Sequence, residues 1–256
     1  MKSLFAFIKK EWIESVRSGK FIYIVILFIL FGIMSPAIAK LTPWMMELKA
    51  DSLAEAGLIV TEVSVDALTS WTQYFKNIPI GLIAFVLIYS NIFTKEYQSQ
   101  SLVLVFTKGL SRYKVVLAKS TMMLLLWTLG YYFCFAITYI YNSYFWDNTI
   151  VHNLLPAVVY WWLFGVWVIS LIVLFSVILK NNTGVLLGTG GAVLTVYLAG
   201  LLPKLREYMP TMLMDTSSLL SDATGAGSYM KAVIVTGVLS VVFVAASVPV
   251  MNKREI

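Results

Sequence analysis

The chain is poor in charged residues. Only 12% of its 256 residues are Asp, Glu, Lys or Arg and 59% are hydrophobic, whereas soluble domains carry roughly a quarter charged residues. A soluble core of this length would need a polar surface that the sequence does not supply. The composition therefore excludes an ordinary soluble domain and indicates a protein that crosses a membrane several times.

Cysteine and histidine are almost absent. Cys134 is the only cysteine, which excludes a disulfide within the chain. His152 is the only histidine, and no cysteine or carboxylate stands at metal-ligand spacing from it. We therefore expect no metal site, no catalytic residues and no bound cofactor in this chain.

The sequence also lacks a nucleotide-binding loop. Lysine precedes Ser or Thr only at Lys2 and Lys119, and neither is preceded by the glycines of a phosphate-binding loop. The interiors of the long apolar runs contain no Asp, Glu, Lys, Arg or His, and a proton- or ion-coupled carrier normally needs such a residue there. A self-powered pump is thus disfavoured.

Long apolar runs are what the sequence does have. Six of them approach or exceed the roughly 20 residues that cross a bilayer as a helix. We predict an all-α membrane protein, a single transmembrane domain over 1–256, with spans at about 21–39, 77–94, 120–146, 154–179, 184–202 and 232–251. The segment 203–230 is apolar enough to form re-entrant helices on the outer side. Residues 36–39 also resemble a signal-peptidase site, but the apolar run before them is longer than that of a leader.

Residues 1–20 have the pattern of an amphipathic helix. At about 100° per residue, one arc is apolar and the opposite arc is charged, the charged residues being Lys10, Glu11, Glu14 and Arg17. Such a helix lies flat in the membrane interface. An ordinary packed amphipathic helix is the alternative.

Charge is distributed unevenly between the two sides that six spans define. The termini and the segments on their side hold thirteen basic and four acidic residues, whereas the opposite segments hold six basic and nine acidic ones. Because basic residues favour the cytoplasmic side, both termini are predicted to be cytoplasmic. We expect the protein in the plasma membrane of a bacterium, with anionic lipid and not nucleic acid as the partner of its positive charge.

The stretch 94–119 concentrates positive charge between the second and third spans. Residues 97–107 can form a short helix, Gly109 suits the position after its end, and Ser111 suits the start of the next helix. The pattern predicts a helix–turn–helix elbow at the cytoplasmic surface.

Two further sets of residues within the spans have two interpretations each. Small residues at a spacing of four suit close helix contact, within the chain or with another subunit; they are Gly184, Gly188 and Ala192. Polar side chains in spans two and three could line a pathway or bond one helix to another; they are Asn91, Thr128, Tyr131, Tyr132, Thr138, Tyr139 and Asn142.

The order of these elements resembles the membrane subunits of ABC-2 type exporters over the whole chain. The resemblance is carried by the surface helix with Lys9-Lys10-Glu11-Trp12, the segment Glu96 to Leu102, the pair Ser111-Arg112 with Lys119, and the ending Asn252 to Ile256. The family commonly has Gly-Thr-Leu after the glutamate segment and then a proline before Ser-Arg. Here Gln100-Ser101-Leu102 and Lys108-Gly109 stand in those places.

The resemblance implies a non-catalytic permease that pairs with a second copy or a related permease and with two separate ATPase subunits. In such transporters the helix between spans two and three is a coupling helix that docks on the ATPase. Carried over to this sequence, the expected coupling residues are Glu96, Tyr97, Leu102, Phe106 and Arg112. The implied substrate is amphipathic: a peptide, a drug or a lipid-like molecule.

Two other functions fit parts of the sequence. A stand-alone carrier or channel would transport without ATP. A membrane scaffold or immunity-type protein would bind a partner without moving it. The exporter permease alone accounts together for the charged elbow, the uncharged spans and the missing nucleotide site.

Overall fold

A computed structural model describes residues 2–48, 65–107 and 109–253. Within these ranges the regular structure is helical, and six helices are long and apolar enough to span a membrane. The helices are α1 (Lys2–Arg17), α2 (Lys20–Leu48), α3 (Ala67–Tyr89), α4 (Thr94–Gln98), α5 (Ser101–Thr107), α6 (Arg112–Phe145), α7 (Leu154–Ile178), α8 (Asn182–Gly200), α9 (Pro203–Arg206), α10 (Ser217–Leu220) and α11 (Met230–Lys253). The all-α class and the six long helices confirm the prediction.

Helix α2 continues beyond the predicted end of the first span. It runs to Leu48 with Pro36 and Pro43 inside it. Proline has no N–H, so Pro36 leaves the carbonyl of Gly32 without its partner in the helix. The hydroxyl of Thr138 on α6 donates to that carbonyl at 3.1 Å. A bond between helices thus replaces the missing one, and the helix is not broken at the proline.

Helix α3 begins ten residues before the predicted second span. The side chain of Asp66 caps its start by accepting a hydrogen bond from the Thr69 N–H at 2.9 Å. Lys76, which the prediction placed at the border of the span, lies within the helix on an exposed face. One exposed lysine therefore does not mark the end of the helix.

Aromatic side chains fill the centre of the helical bundle. Trp127 of α6 lies edge-on to Phe28 of α2 and to Phe85 of α3, with 5.8 Å between ring centres in each pair. A side chain at Gly165 on α7 would overlap the Trp127 ring, so this glycine lets α7 approach. The glycine and the three aromatic side chains fix how α2, α3, α6 and α7 pack.

Helices α7 and α8 form the predicted antiparallel hairpin. Asn181 in the short link caps α8 by accepting from the Gly184 N–H at 3.0 Å. Between α8 and α11 the chain forms α9, α10 and 3₁₀ turns at Pro210–Met214 and Ala226–Tyr229. These short helices fit the expected broken segment, whose entry into the membrane stays a prediction. Helices α8 and α11 leave much of their apolar surface uncovered, with Leu187 and Val241 both 71% exposed.

Candidate functional site

A buried lysine joins three separate parts of the chain. The Nζ atom of Lys119 on α6 lies 2.9 Å from a carboxylate oxygen of Glu11 on α1 and 2.9 Å from one of Glu96 on α4. It also donates to the backbone carbonyl of Ile92 at 3.0 Å. Lys119 is only 1% exposed, so its charge is neutralised by protein groups and not by water.

A second lysine closes the cluster on the side toward solvent. Lys10 Nζ lies 2.5 Å from the other carboxylate oxygen of Glu96 and 3.0 Å from Glu14. It is also 3.0 Å from Glu11. We call Lys10, Glu11, Glu14, Glu96 and Lys119 the ion cluster. It contains three carboxylates and two ammonium groups.

The pKa values of the half-exposed members follow from these neighbours. Burial on its own would lower the pKa of Lys10, but the charges of Glu11 and Glu96 raise it above its ordinary value. Burial on its own would raise the pKa of Glu14, but the hydrogen bond and the charge of Lys10 lower it below its ordinary value. Both residues are therefore held in their charged forms at neutral pH.

The carboxylates of this cluster lie close enough to hold a metal ion. Ligand oxygens of Glu11, Glu14 and Glu96 all lie within 4.8 Å of one another. The ammonium groups of Lys10 and Lys119, however, already occupy the positions from which a cation would bind them. The arrangement therefore fits an internal ion network better than a metal site.

The ion cluster positions the predicted elbow. Helices α4 and α5 are separated by a break at Gln100, whose φ is +53°, and α5 is followed by Gly109 with φ of +83°. Gly109 therefore has the conformation expected of the residue after a helix end, while the break at Gln100 was not foreseen. Lys108 lies outside the described residues.

The elbow is also fastened to the end of α11. Arg112 donates from Nη1 to the backbone carbonyls of Met251 and Asn252, at 3.0 Å each. The hydroxyl of Tyr97 lies 3.3 Å from the sulfur of Met251. The Arg112 guanidinium also lies 5.4 Å from the centre of the Phe106 ring. Cations are favourable at a helix C-terminus, so Arg112 stabilises this junction.

The five expected coupling residues are thus brought together, but they do not share one exposed surface. Leu102 is fully buried and Glu96 is 6% exposed. Tyr97, Phe106 and Arg112 are half-buried. The side of the elbow open to solvent is formed by other residues, including Gln98, Val103, Thr107 and Tyr113.

The polar residues considered for a pathway make contacts inside the bundle. Tyr131 donates to the carbonyl of Val158 at 2.8 Å, and Thr128 accepts from the Trp162 indole at 3.0 Å. Asn142 accepts from Ser70 at 2.6 Å, Asn91 accepts from Lys20 at 2.6 Å, and Thr138 donates to the carbonyl of Gly32.

The two remaining tyrosines of this set make ring contacts. Tyr132 lies against the rings of Tyr131 and Trp162, and Tyr139 lies against Trp71 and Phe135. All seven side chains thus contact neighbouring helices, and a role in lining a pathway stays a prediction.

The small residues of α8 contact a helix of the same chain. A Cβ at Gly188 would lie 2.8 Å from the Phe175 ring of α7, and Ala192 packs against the core. A Cβ at Gly184 would collide with the capping Asn181. Gly190 and Gly191, by contrast, have open space where a side chain would be.

A large cavity lies at the C-terminal end of α8. Its volume is about 790 Å³, and its lining combines apolar groups such as Leu201 and Met212 with the ion pair of Arg206 and Asp215, 2.6 Å apart. Its size falls within the range of small-molecule sites. Polar and apolar walls together suit an amphipathic ligand.

The fold and this arrangement of charges define a multi-pass helical membrane protein whose N-terminal helix and inter-span elbow are locked together by buried ions. The chain belongs to the ABC-2 family transporter proteins, since the family's sequence profile matches residues 5–255. It is therefore a membrane component of an ABC transporter. Comparison with curated proteins and with solved structures gave no match.

Proposed function

We propose that the chain is the permease subunit of an ABC exporter that moves an amphipathic peptide, drug or lipid-like molecule out of the cytoplasm. ATP hydrolysis takes place in two separate ATPase subunits, and the permease pairs with a second copy or a related permease. Both termini and the elbow face the cytoplasm. Family membership and the absence of a phosphate-binding loop in the sequence support this assignment.

The observation that carries the proposal is the attachment of the elbow at three points. Glu96 is paired with Lys10 of α1 and with Lys119 of α6. Arg112 bonds to the end of α11. A movement of the elbow is therefore transmitted to α1 and to the long helices α6 and α11 together. Such a connection is needed if an ATPase outside the membrane is to move the spans.

The burial pattern divides the elbow residues into two roles. Glu96, Tyr97, Leu102 and Arg112 hold the elbow against the bundle, and Phe106 supports Arg112. The residues that touch the ATPase belong to the exposed side, where Val103 of α5 is 37% exposed and Thr107 lies one turn further. The anchoring residues thus contribute to coupling by positioning the exposed residues that contact the ATPase.

Val103→Asp tests the docking surface without disturbing the core. We expect it to reduce co-purification of the ATPase from membranes at least tenfold and to reduce ATP-dependent transport in inverted vesicles in proportion. Thr183→Asp is the matched control, because Thr183 is exposed in the first turn of α8, on the same predicted side but away from the elbow. Normal association and transport in Val103→Asp, with the same protein level, would refute the docking surface.

Reconstitution separates the exporter from the two other functions. Liposomes that contain the permease alone are expected to show no flux, and flux is expected to appear when ATPase and ATP are added. Flux by the permease alone would indicate a carrier or channel. Binding of a partner without any ATP-dependent flux would indicate a scaffold or immunity-type protein.

A further inference from the structure

A groove opens between α2 and α6 at the end of the bundle opposite to the ion cluster. Its volume is about 430 Å³. The apolar walls are formed by Ile33, Ala37, Leu41, Tyr141 and Phe145. Lys40 is the one charged residue among the described residues that line it.

The groove begins where the close contact between α2 and α6 ends. A side chain at Gly32 would collide with Ile137, so α2 and α6 are in close contact there. The hydrogen bond from Thr138 to the Gly32 carbonyl fixes that contact. One turn further along α2, Pro36 and its neighbours line the groove instead of meeting α6 directly.

The position of the groove along α2 gives its depth in the membrane. Lys20, next to the ion cluster, and Lys40 are twenty residues apart, which corresponds to about 30 Å of helix. This is the thickness of the hydrocarbon core of a bilayer. Lys40 therefore lies at the headgroup level of the leaflet opposite to the cluster, and Ile33 lies about 10 Å deeper, among the acyl chains.

The charge at the rim selects the chemistry of the occupant. The ammonium group of Lys40 is exposed to the groove's rim and lies 3.8 Å from the centre of the Phe145 ring. A cation above an apolar groove at headgroup depth complements a molecule with an anionic head and a hydrocarbon tail. An uncharged apolar molecule would fill the groove but would leave Lys40 without a counter-ion.

We propose that this groove binds an anionic phospholipid of the far leaflet, with its phosphate paired to Lys40 and one acyl chain lying between α2 and α6. The volume is at the lower end of the range of ligand sites, as suits part of one lipid and not a bulky substrate. The site is separate from the elbow and does not depend on the identity of the transported molecule.

Native mass spectrometry of the detergent-purified protein with added lipid tests this site. The probes are phosphatidylglycerol and phosphatidylcholine with identical acyl chains. We expect about fivefold stronger retention of phosphatidylglycerol, near the contribution of one basic residue at an anionic surface. Equal retention of the two lipids would overturn the proposal.

Three variants locate the binding. Lys40→Gln is expected to abolish the preference for phosphatidylglycerol, and Lys40→Arg to keep it. Lys204→Gln, which removes an exposed cation of α9 outside the groove, is the matched control and should keep it as well. Retention of the preference in Lys40→Gln, or its loss in Lys204→Gln, would place the lipid elsewhere.

Filling the groove tests the acyl-chain part separately. Ala37 is exposed on the groove wall, so Ala37→Trp adds bulk there without changing charge. We expect weaker retention of both lipids at an unchanged unfolding temperature. Unchanged retention in Ala37→Trp would show that the groove is not the site.

Discussion

Lys119 carries its charge into a region from which water is almost excluded. Burying an ion costs several kcal/mol unless partners compensate for the loss of water. Here two carboxylates and a backbone carbonyl supply that compensation. The pairing is thus a condition for α1, α4 and α6 to meet.

Removal of Lys119 is the most direct test of this interpretation. Lys119→Met leaves Glu11 and Glu96 buried with one cation fewer, and we expect a loss of about 3–5 kcal/mol in the free energy of unfolding. Titration with denaturing detergent measures that free energy. Lys114→Met, at a half-buried cation of the same helix that bonds to the exposed Ser3, should change it by no more than about 0.5 kcal/mol.

The partner of Lys119 supplies a second arm for that experiment. The double variant Lys119→Met with Glu11→Gln removes both charges, so it should lose less stability than the sum of the single variants. Equal stabilities of Lys119→Met and Lys114→Met, or strict additivity in the double variant, would contradict the role of the cluster.

The bond between Thr138 and the Gly32 carbonyl compensates for a proline, and this can be measured as a coupling. Thr138→Val is expected to cost about 0.5–2 kcal/mol, since a buried carbonyl loses its donor. Pro36→Ala returns an N–H to α2 that can bond to the same carbonyl. In the Pro36→Ala background, Thr138→Val should therefore cost less. An equal cost in both backgrounds would argue against the compensation.

At the scale of elements, α1 is held by ions as well as by apolar contact. Glu11 is only 5% exposed and faces α6, while Phe5 of the same helix is 66% exposed. The expected division into one lipid face and one water face is thus wrong for Glu11, because this carboxylate has a buried cation to meet. That α1 lies in the membrane interface stays a prediction.

Because the pKa of Glu14 is lowered in the folded protein, the contribution of this carboxylate to the docking of α1 should decrease at acidic pH. A depressed pKa in the folded state contributes stability above the ordinary value of 4.5, and this contribution disappears as pH falls through the folded value. Glu14→Gln should therefore have a lower unfolding temperature than the unmodified protein between pH 6 and 8. That difference should shrink as pH falls below 4.5 and should vanish once the pH lies below the lowered pKa of the Glu14 carboxyl.

Intrinsic tryptophan fluorescence on heating, at several pH values, follows this difference. Because Glu14 is 40% exposed, the effect is small, about 0.2–1 kcal/mol. Glu47→Gln, at an exposed carboxylate near the end of α2, is the control. A difference for Glu14→Gln that persisted unchanged into acid would show that the carboxylate is not held charged by Lys10.

The sequence predicted the existence of the elements better than their ends. Hydrophobic runs identify six long helices, because only a helix satisfies its own backbone in lipid. Helix α3 starts early because Asp66 caps it, and α2 continues past Pro36 because Thr138 bonds to the Gly32 carbonyl. Neither hydrogen bond can be read from hydropathy. Gly109 was found because its turn conformation favours glycine, whereas Gln100 at the other break has no such signature.

The candidate site could be predicted only in part, for a related reason. The stretch 94–119 is evident from its charge, and Glu96 was among the expected residues. The meeting of Glu11 with Lys119 bridges 108 positions, and no local pattern reports such a distance. The one available signal was that Glu11 lies between Phe7 and Ser15 at the spacing of a helix face; both of those residues are buried.

On the scale of the whole molecule, the described residues form six helices that are long and apolar enough to cross a membrane, and six crossings would return both ends of the chain to one side. The described helices support an even number of crossings. The direction, with the ends in the cytoplasm, follows from the charge asymmetry and stays a prediction.

Labelling with a membrane-impermeant maleimide determines that direction. Cys134 is fully buried, and Cys134→Ala provides a background without cysteine. In it, Ser3→Cys and Asn252→Cys are expected to react only in inverted vesicles, and Thr149→Cys only in right-side-out vesicles; all three positions are exposed. Reaction of Ser3→Cys and Asn252→Cys from different sides would refute six crossings.

The long separation between Glu11 and Lys119 also sets an order for biogenesis. At about 5–20 residues per second, the ribosome delivers Lys119 roughly 5–20 seconds after Glu11. During that interval Glu11 lacks its buried partner, and the contact of Lys10 with Glu96 is the first ion pair of the cluster that links α1 to the elbow. The ion cluster that fastens the elbow is therefore complete only once the third long helix has begun to emerge.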